Sequence, residues 1–287
     1  MEKAEILIEA LPYIKKFAGK TFVIKYGGSV MENEDLKKKF LEDVALLKLV
    51  GINIIIVHGG GKRINAMLDK VNLDVKFVQG QRVTDENVVE IVEMVLSGQI
   101  NKDLANCLSM HGLHAVGLSG KDSGLLKAEK KIAKGENGEP LDLGFVGNVK
   151  EVNKSLLLDL INDDYVPIIS PVAGGFNGET FNVNADYAAG AISGAIEAEK
   201  LILLSDIKGL YRDINDEDSF IPELSASQVD ELIADGTISG GMIPKMQCCT
   251  HAINKGAKEV AIIDGRVAHS LLIEIFTNAG SGTMVTK

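Results

Sequence analysis

Two lysines, an aspartate and two runs of glycine carry most of the chemistry this sequence can do. Lys25-Tyr26-Gly27-Gly28-Ser29 closes a β-branched run, placing a cation and two side-chain-free amides at a strand's carboxyl edge. Open α/β sheets bind ligands at such edges. His58-Gly59-Gly60-Gly61-Lys62 closes a second run and leads straight into a helical pattern. Glycines let backbone N–H groups approach an anion, and a helix start adds favourable partial charge. Either loop alone could be a tight turn. Together they could cradle one polyanion, or an anionic substrate beside a phosphate. A third cluster, Phe181-Asn182-Val183-Asn184-Ala185-Asp186, opens a helix of small residues, where Asn184 or Asp186 could serve as the cap. Lys245 follows Gly240-Gly241-Met242-Ile243-Pro244 near another helix start. Asp186 placed between Lys25 and Lys245 would keep both charged and aimed at one point.

Other chemistries fit poorly. Neither G-x-x-x-x-G-K-[ST] nor G-x-G-x-x-G occurs, which disfavours a P-loop enzyme or a dinucleotide oxidoreductase. The five histidines form no H-E-x-x-H, and Cys107, Cys248 and Cys249 form no C-x-x-C, so no zinc site is expected. His58 reads as a turn residue that orients its loop rather than as a catalytic group. Three cysteines with two adjacent make a poor disulfide framework and suggest a reducing cytoplasm.

The elements that must position these residues follow from periodicity. Buried-strand patterns occur at Thr21 to Ile24, Ile52 to Val57, His114 to Leu118, Tyr165 to Ile169, Leu201 to Leu204 and Glu259 to Ile263. Helical patterns lie between them at Leu36 to Val50, Gly61 to Leu68, Glu86 to Leu96, Asn153 to Ile161, Ala185 to Ala198 and Met242 to Lys255. The alternation predicts βαβ units around a mostly parallel sheet. Glycines and a proline between Lys127 and Val152 predict a hairpin-rich excursion, suited to a flap over a cleft. Before the first strand, Leu7, Leu11, Ile14 and Ala18 fall at helical spacing, and Pro12 predicts a helix kinked near Leu11 or split in two. That helix could pack on its own core or on another subunit.

The 287 residues suffice for one large domain or two lobes. Thirty Lys and Arg against forty Asp and Glu give net −10, which argues against a duplex-DNA binder. Apolar runs such as Ile54 to Val57 are far too short to cross a bilayer, and Glu2, Glu5 and Glu9 do not suit a signal peptide, so no membrane role is expected.

Six blocks in order resemble the amino acid kinase family, and within it the branch that acts on N-acetyl-L-glutamate. They are Lys25-Tyr26-Gly27-Gly28, His58-Gly59-Gly60-Gly61, Gly80-Gln81-Arg82-Val83-Thr84, Asn182-Val183-Asn184-Ala185-Asp186, Leu204-Ser205-Asp206-Ile207-Lys208-Gly209-Leu210-Tyr211 and Gly241-Met242-Ile243-Pro244-Lys245. The resemblance implies an α/β fold: a three-layer αβα sandwich with an open, mainly parallel eight-stranded sheet, as in carbamate kinases. It implies an oligomerisation helix over residues 1–19, an amino-acid-binding lobe over 20–195, and a lobe over 196–287 that binds ATP and carries a regulatory site. By resemblance Lys25 and Lys245 stabilise the transferring phosphoryl group and Asp186 organises them. Gly60, Gly61, Arg82 and Asn182 hold the substrate. Gly27, Gly28, Ser205, Asp206 and Tyr211 serve the nucleotide, and Mg²⁺ travels on the ATP phosphates with no protein metal site.

The activity so implied is phosphorylation of the γ-carboxylate of N-acetyl-L-glutamate, in the second step of arginine biosynthesis. Rivals are another carboxylate or carbamate kinase of the family and an inactive arginine-sensing protein. The N-terminal helix resembles that of longer, arginine-sensitive members, which assemble as hexamers (trimers of dimers). This implies L-arginine as an allosteric inhibitor near Tyr13, Lys200, Glu274 and Gly280, within the helix and the segment Ser270 to Thr283. A PII-type signalling protein is a further partner that the resemblance leaves open.

Overall fold

The structure, a computed structural model, describes residues 2–287 except 75, 79, 136, 137, 278 and 279, and leaves out the side chains of residues 2–4, 6, 7 and 134. Parts of the expected flap, of the segment Ser270 to Thr283 and the Leu7 side chain therefore lie outside the described residues.

Eight strands build the central sheet: β1 (Thr21–Tyr26), β2 (Asn53–His58), β3 (Ala115–Ser119), β4 (Val166–Ser170), β5 (Lys200–Ser205), β6 (Glu223–Ser225), β7 (Val260–Asp264) and β8 (Gly282–Thr286). Their order is β6-β8-β7-β5-β1-β2-β4-β3. The six strands expected from periodicity are the six mutually parallel ones. β8 runs antiparallel to β7, and β6 runs parallel to β8. The chain leaves β1 towards β2 on one side and later returns to β5 on the other, so the carboxyl ends of β1 and β5 flank the point where strand order reverses. A crevice opens at such a point.

Alternate residues of the strands feed two cores, one on each face of the sheet. Val23, Ile55, Val57, Leu201 and Leu203 pack with helices α4 (Ala185–Ala195) and α5 (Met242–Asn254) through Ala188, Ile192, Met246 and Ala252. Phe22, Ile24, Ile54, Ile56 and Ile202 pack with α1 (Glu2–Phe17), α2 (Glu34–Leu49), α3 (Gly61–Lys70) and α6 (Ser270–Phe276) through Phe17, Val44, Leu68 and Leu271. These are the three layers of an αβα sandwich. No helix among the described residues is long and apolar enough to cross a membrane.

The N-terminal helix runs as one element through Pro12, so of the two expected outcomes, a kink or a division, the division does not occur. The carbonyl that loses its partner to the proline belongs to Ile8, an exposed residue that water can reach. Leu126–Lys134 and Pro140–Val152 form an antiparallel hairpin. They close with Val172–Gly174 and Thr180–Asn182 into a small four-stranded barrel. The excursion is thus a closed subdomain, stitched to the Arg82 segment: Thr84 N donates to Leu143 O at 2.9 Å and Phe145 N to Thr84 O at 2.6 Å. Gly144 has φ +75°, and a Cβ there would run into the Thr84 carbonyl.

Candidate active site

β1 and β2 pair in register, with Tyr26 opposite His58, so the two glycine turns leave the sheet side by side. Lys25 folds back over Gly27, and a Cβ at Gly27 would lie 2.9 Å from the lysine Cε and Nζ. Its ammonium lies 3.0 Å from Asp186 Oδ1. Lys245, in the first turn of α5, donates to Asp186 Oδ2 at 3.1 Å. The sequence left two candidates to cap α4, and the cap is Asn184, whose Oδ1 accepts from Asp186 N at 2.9 Å and Tyr187 N at 3.3 Å. The Asp186 carboxylate is thereby left for the lysines. Burial pushes its pKa up, but the two ammonium charges more than offset this and hold it at about 2, below the ordinary 3.8.

Beside this cluster lies a pocket of about 210 Å³ lined by Gly60, Gly61, Arg82 and Asn182 together with the apolar Ile64, Leu96 and Val146. All four predicted substrate residues meet there. At Gly60 a Cβ would strike the ends of Ile100 and Leu96, so any side chain there would have to push those two aside. No side chain caps α3, whose first turn begins at Gly60 and Gly61. The buried Arg82 guanidinium donates through Nη2 to Gly61 O at 3.2 Å and stacks 4.9 Å from the Phe77 ring centroid. Its Nη1 has no partner, and burial lowers its pKa. An unpaired buried guanidinium N–H asks for an anion. Asn182 Nδ2 donates to Thr84 Oγ1 at 3.3 Å, tying it to the same segment.

The residues expected at the nucleotide are only partly gathered. Asp206, just past β5, accepts from Ser29 N at 3.0 Å and Ser29 Oγ at 2.7 Å, which locks the turn after β1 to the end of β5. Gly28 has φ +70°, and a Cβ there would meet the Asp206 carboxylate at 2.7 Å. Ser205 is buried, with its carbonyl accepting from Gly265 N at 2.9 Å. Tyr211 stands in a separate ribbon, edge-on to Phe220 at 5.2 Å.

Residues 20–264 match the amino acid kinase family. The chain belongs to the amino acid kinase family. Among its relatives, the acetylglutamate kinase of Heliobacterium modesticaldum is 51% identical over 291 residues, covering 100% of this chain and 99% of that one. That of Caldanaerobacter subterraneus subsp. tengcongensis is 53% identical, covering 99% and 93%. A solved N-acetylglutamate synthase from Neisseria gonorrhoeae, complexed with coenzyme A and N-acetyl-glutamate, shares the fold at TM-score 0.84 and 24% identity, with 99% of this chain on 63% of that one. Carbamate kinase from Giardia lamblia bound to AMP-PNP does so at 0.67 and 16% identity, covering 94% and 99%.

Within this amino acid kinase three of the residues singled out for regulation, Lys200, Glu274 and Gly280, come together. Lys200 Nζ, at the start of β5, lies 3.1 Å from Glu274 Oε1 and 3.2 Å from Glu259 Oε2. Ser281 N donates to Glu274 Oε2 at 2.9 Å, and Gly280, at φ +62°, sits against the same carboxylate. Tyr13, on α1, packs on the core that α6 shares. Phe77, Leu96, Ile100 and Asn101 were missed as contributors to the site, since none stands in any of the six blocks, and Thr84 stands in the Arg82 block but was given no role.

Lys25→Arg or Lys245→Ala is expected to lower kcat by about two orders of magnitude, about 3 kcal/mol of barrier; near-normal kcat in both would remove them from the chemistry. A second expectation concerns pH. The Asp186 pKa is depressed on folding, so its ion pairs stabilise fully above the unfolded value and fade as pH falls towards the folded one. The difference in unfolding free energy between wild type and Asp186→Asn should be level from about pH 5 to 8 and shrink below about pH 4. A difference that grows on acidification would contradict the paired carboxylate.

Proposed function

We propose that the chain transfers the γ-phosphoryl group of ATP to the γ-carboxylate of N-acetyl-L-glutamate, giving N-acetyl-L-glutamyl 5-phosphate and ADP, the second step of arginine biosynthesis. The observation that carries this reading is the pair of ammonium groups on Asp186 beside a pocket whose buried Arg82 has an unpartnered Nη1. A γ-carboxyl with a reference pKa of about 4.3 is ionised at neutral pH and needs no general base. Its oxygen forms a bond to the γ-phosphorus as the bond to the bridging oxygen breaks, and that electron pair leaves with ADP. The work left to the protein is positioning two anions and offsetting charge on the equatorial oxygens. Lys25 and Lys245 supply the charge. Arg82 suits the α-carboxylate, because its planar fork can bond both oxygens.

The apolar lining of Ile64, Leu96 and Val146 supports an acetylated amino acid, since a free ammonium against those side chains would lose its hydration. The relatives called acetylglutamate kinase support the same choice. Magnesium would neutralise phosphate charge during transfer. The donors in the cleft fit an ion carried by the nucleotide, because Asp186 is taken by two lysines and Asp206 by Ser29. Free thiols at Cys107, Cys248 and Cys249 support a cytoplasmic setting.

We also propose L-arginine as a feedback inhibitor and a homohexamer in which the N-terminal helices join dimers, on the strength of the cluster of Lys200, Glu274 and Gly280 beside α1. Glu274 is buried and already engages Lys200 and Ser281. An incoming guanidinium would share this carboxylate with Lys200 and Ser281 or displace one of them. Displacement would couple binding to movement of α6 and so to the spacing of the two lobes.

A hydroxylamine trap for acyl phosphate, run with ATP, Mg²⁺ and each candidate acid, tests the activity. Product with N-acetyl-L-glutamate and not with glutamate, aspartate or carbamate is expected; product only with another acid moves the substrate, and none with any acid leaves the inactive sensor. Arg82→Ala should raise KM for the acid by about tenfold or more with little change for ATP, and equal loss for both would contradict its role. Removing residues 1–19 should abolish arginine inhibition and the hexamer; retention of both would refute the regulatory reading.

A further inference from the structure

Asn101 is fully buried at the start of the helix Asn101–Met110, and no sequence motif marks it. Its Nδ2 lies 2.9 Å from Ile168 O and 3.2 Å from Leu118 O, two groups that can only accept. Lys102 Nζ donates to its Oδ1 at 3.1 Å. These contacts settle which end of the amide is nitrogen. The same Nδ2 lies 3.1 Å from His58 Nε2, so the imidazole nitrogen facing it must accept, with the two amide protons shared among three acceptors. Burial holds the His58 pKa down at about 4, so the ring is neutral at pH 7 and keeps a single proton. With Nε2 accepting, that proton sits on Nδ1, which lies 2.9 Å from Gly59 O.

The Gly59 carbonyl and the Gly60 N–H belong to one planar trans peptide and point in opposite directions. Gly59 N is itself bonded to Tyr26 O at 2.8 Å. Holding the carbonyl against His58 therefore fixes where the next N–H points, and Gly60 lines the substrate pocket. We propose that Asn101 is a positioning residue for the acidic substrate: by donating to His58 Nε2 it keeps the ring proton on Nδ1, so that His58 grips the Gly59 carbonyl and the Gly60 N–H is turned towards the pocket. The segment leading into Asn101 contributes to the same turn, since Leu96 and Ile100, from the π-helical stretch Met94–Ile100, fill the space that a side chain at residue 60 would need. Asn101 thus acts through His58 and touches no reacting atom. The kinetic part of this inference rests on the proposed carboxylate kinase activity, whereas the tautomer does not.

The test joins spectroscopy to kinetics. In ¹⁵N-histidine-labelled wild type at neutral pH, His58 should show a protonated Nδ1 and an unprotonated Nε2; the opposite tautomer, or an imidazolium, overturns the inference. Asn101→Ala should shift that ring signature and raise KM for N-acetyl-L-glutamate by about tenfold, with KM for ATP within about twofold of wild type. Asn101 acting only as packing would lower the melting temperature and leave the tautomer and the ratio of the two KM values where they were. A folded variant with both KM values unchanged, or both raised alike, would likewise overturn it. If Asn101→Ala does not fold, the wild-type ring state decides. Wild type that yields no acyl phosphate would count against the kinase reading, and the tautomer would still judge this one.

Discussion

The site depends on one carboxylate shared by two ammonium groups. Lys25 and Lys245 could not be held at close range in a half-buried cleft by packing alone, because like charges repel strongly where water is scarce. Asp186 between them reverses the sign of that interaction and stays ionised because both partners favour its charged form. The three residues come from the end of β1, the first turn of α4 and the first turn of α5. The cluster therefore requires those elements to converge, and the packing of α4 and α5 on β1 and β5 provides the convergence.

Around that cluster, the absence of side chains is as specific as their presence. Gly27 leaves room for Lys25 to fold back, Gly28 lets Asp206 reach Ser29, and Gly60 leaves room for Leu96 and Ile100. Arg82 is placed by different means. It is buried under Phe77 and fixed by a segment that the small barrel grips through Thr84 and Gly144. A buried cation with an unused donor is costly in isolation and useful where an anion arrives.

Much of the fold was legible because buried parallel strands are short apolar, mostly β-branched runs between turn residues, and five of the six parallel strands have that form, the edge strand β3 being the weakest. The missed elements lacked it. β6 has three residues, and β8 opens with a glycine. The helix Asn101–Met110 follows a π-helical stretch, where a change from 3.6-residue spacing slips the apolar face and hides the pattern. Pro12 predicted a kink or a split, and an exposed carbonyl made the split unnecessary.

At the site, residue type and local turn chemistry were enough to single out Lys25, Asp186, Lys245 and the glycine turns, because charge and the lack of a Cβ act whatever the surroundings, whereas Arg82 was marked only by the family resemblance. Local sequence could not decide whether Asn184 or Asp186 caps α4. It also gave no sign that Asn101 would reach His58 across 43 positions, or that Lys200 would bury its charge between Glu274 and Glu259. Those outcomes belong to the tertiary structure, since a hydrogen bond or ion pair between distant residues exists only once the sheet has brought their backbones within a few ångströms and excluded the water that would otherwise satisfy them.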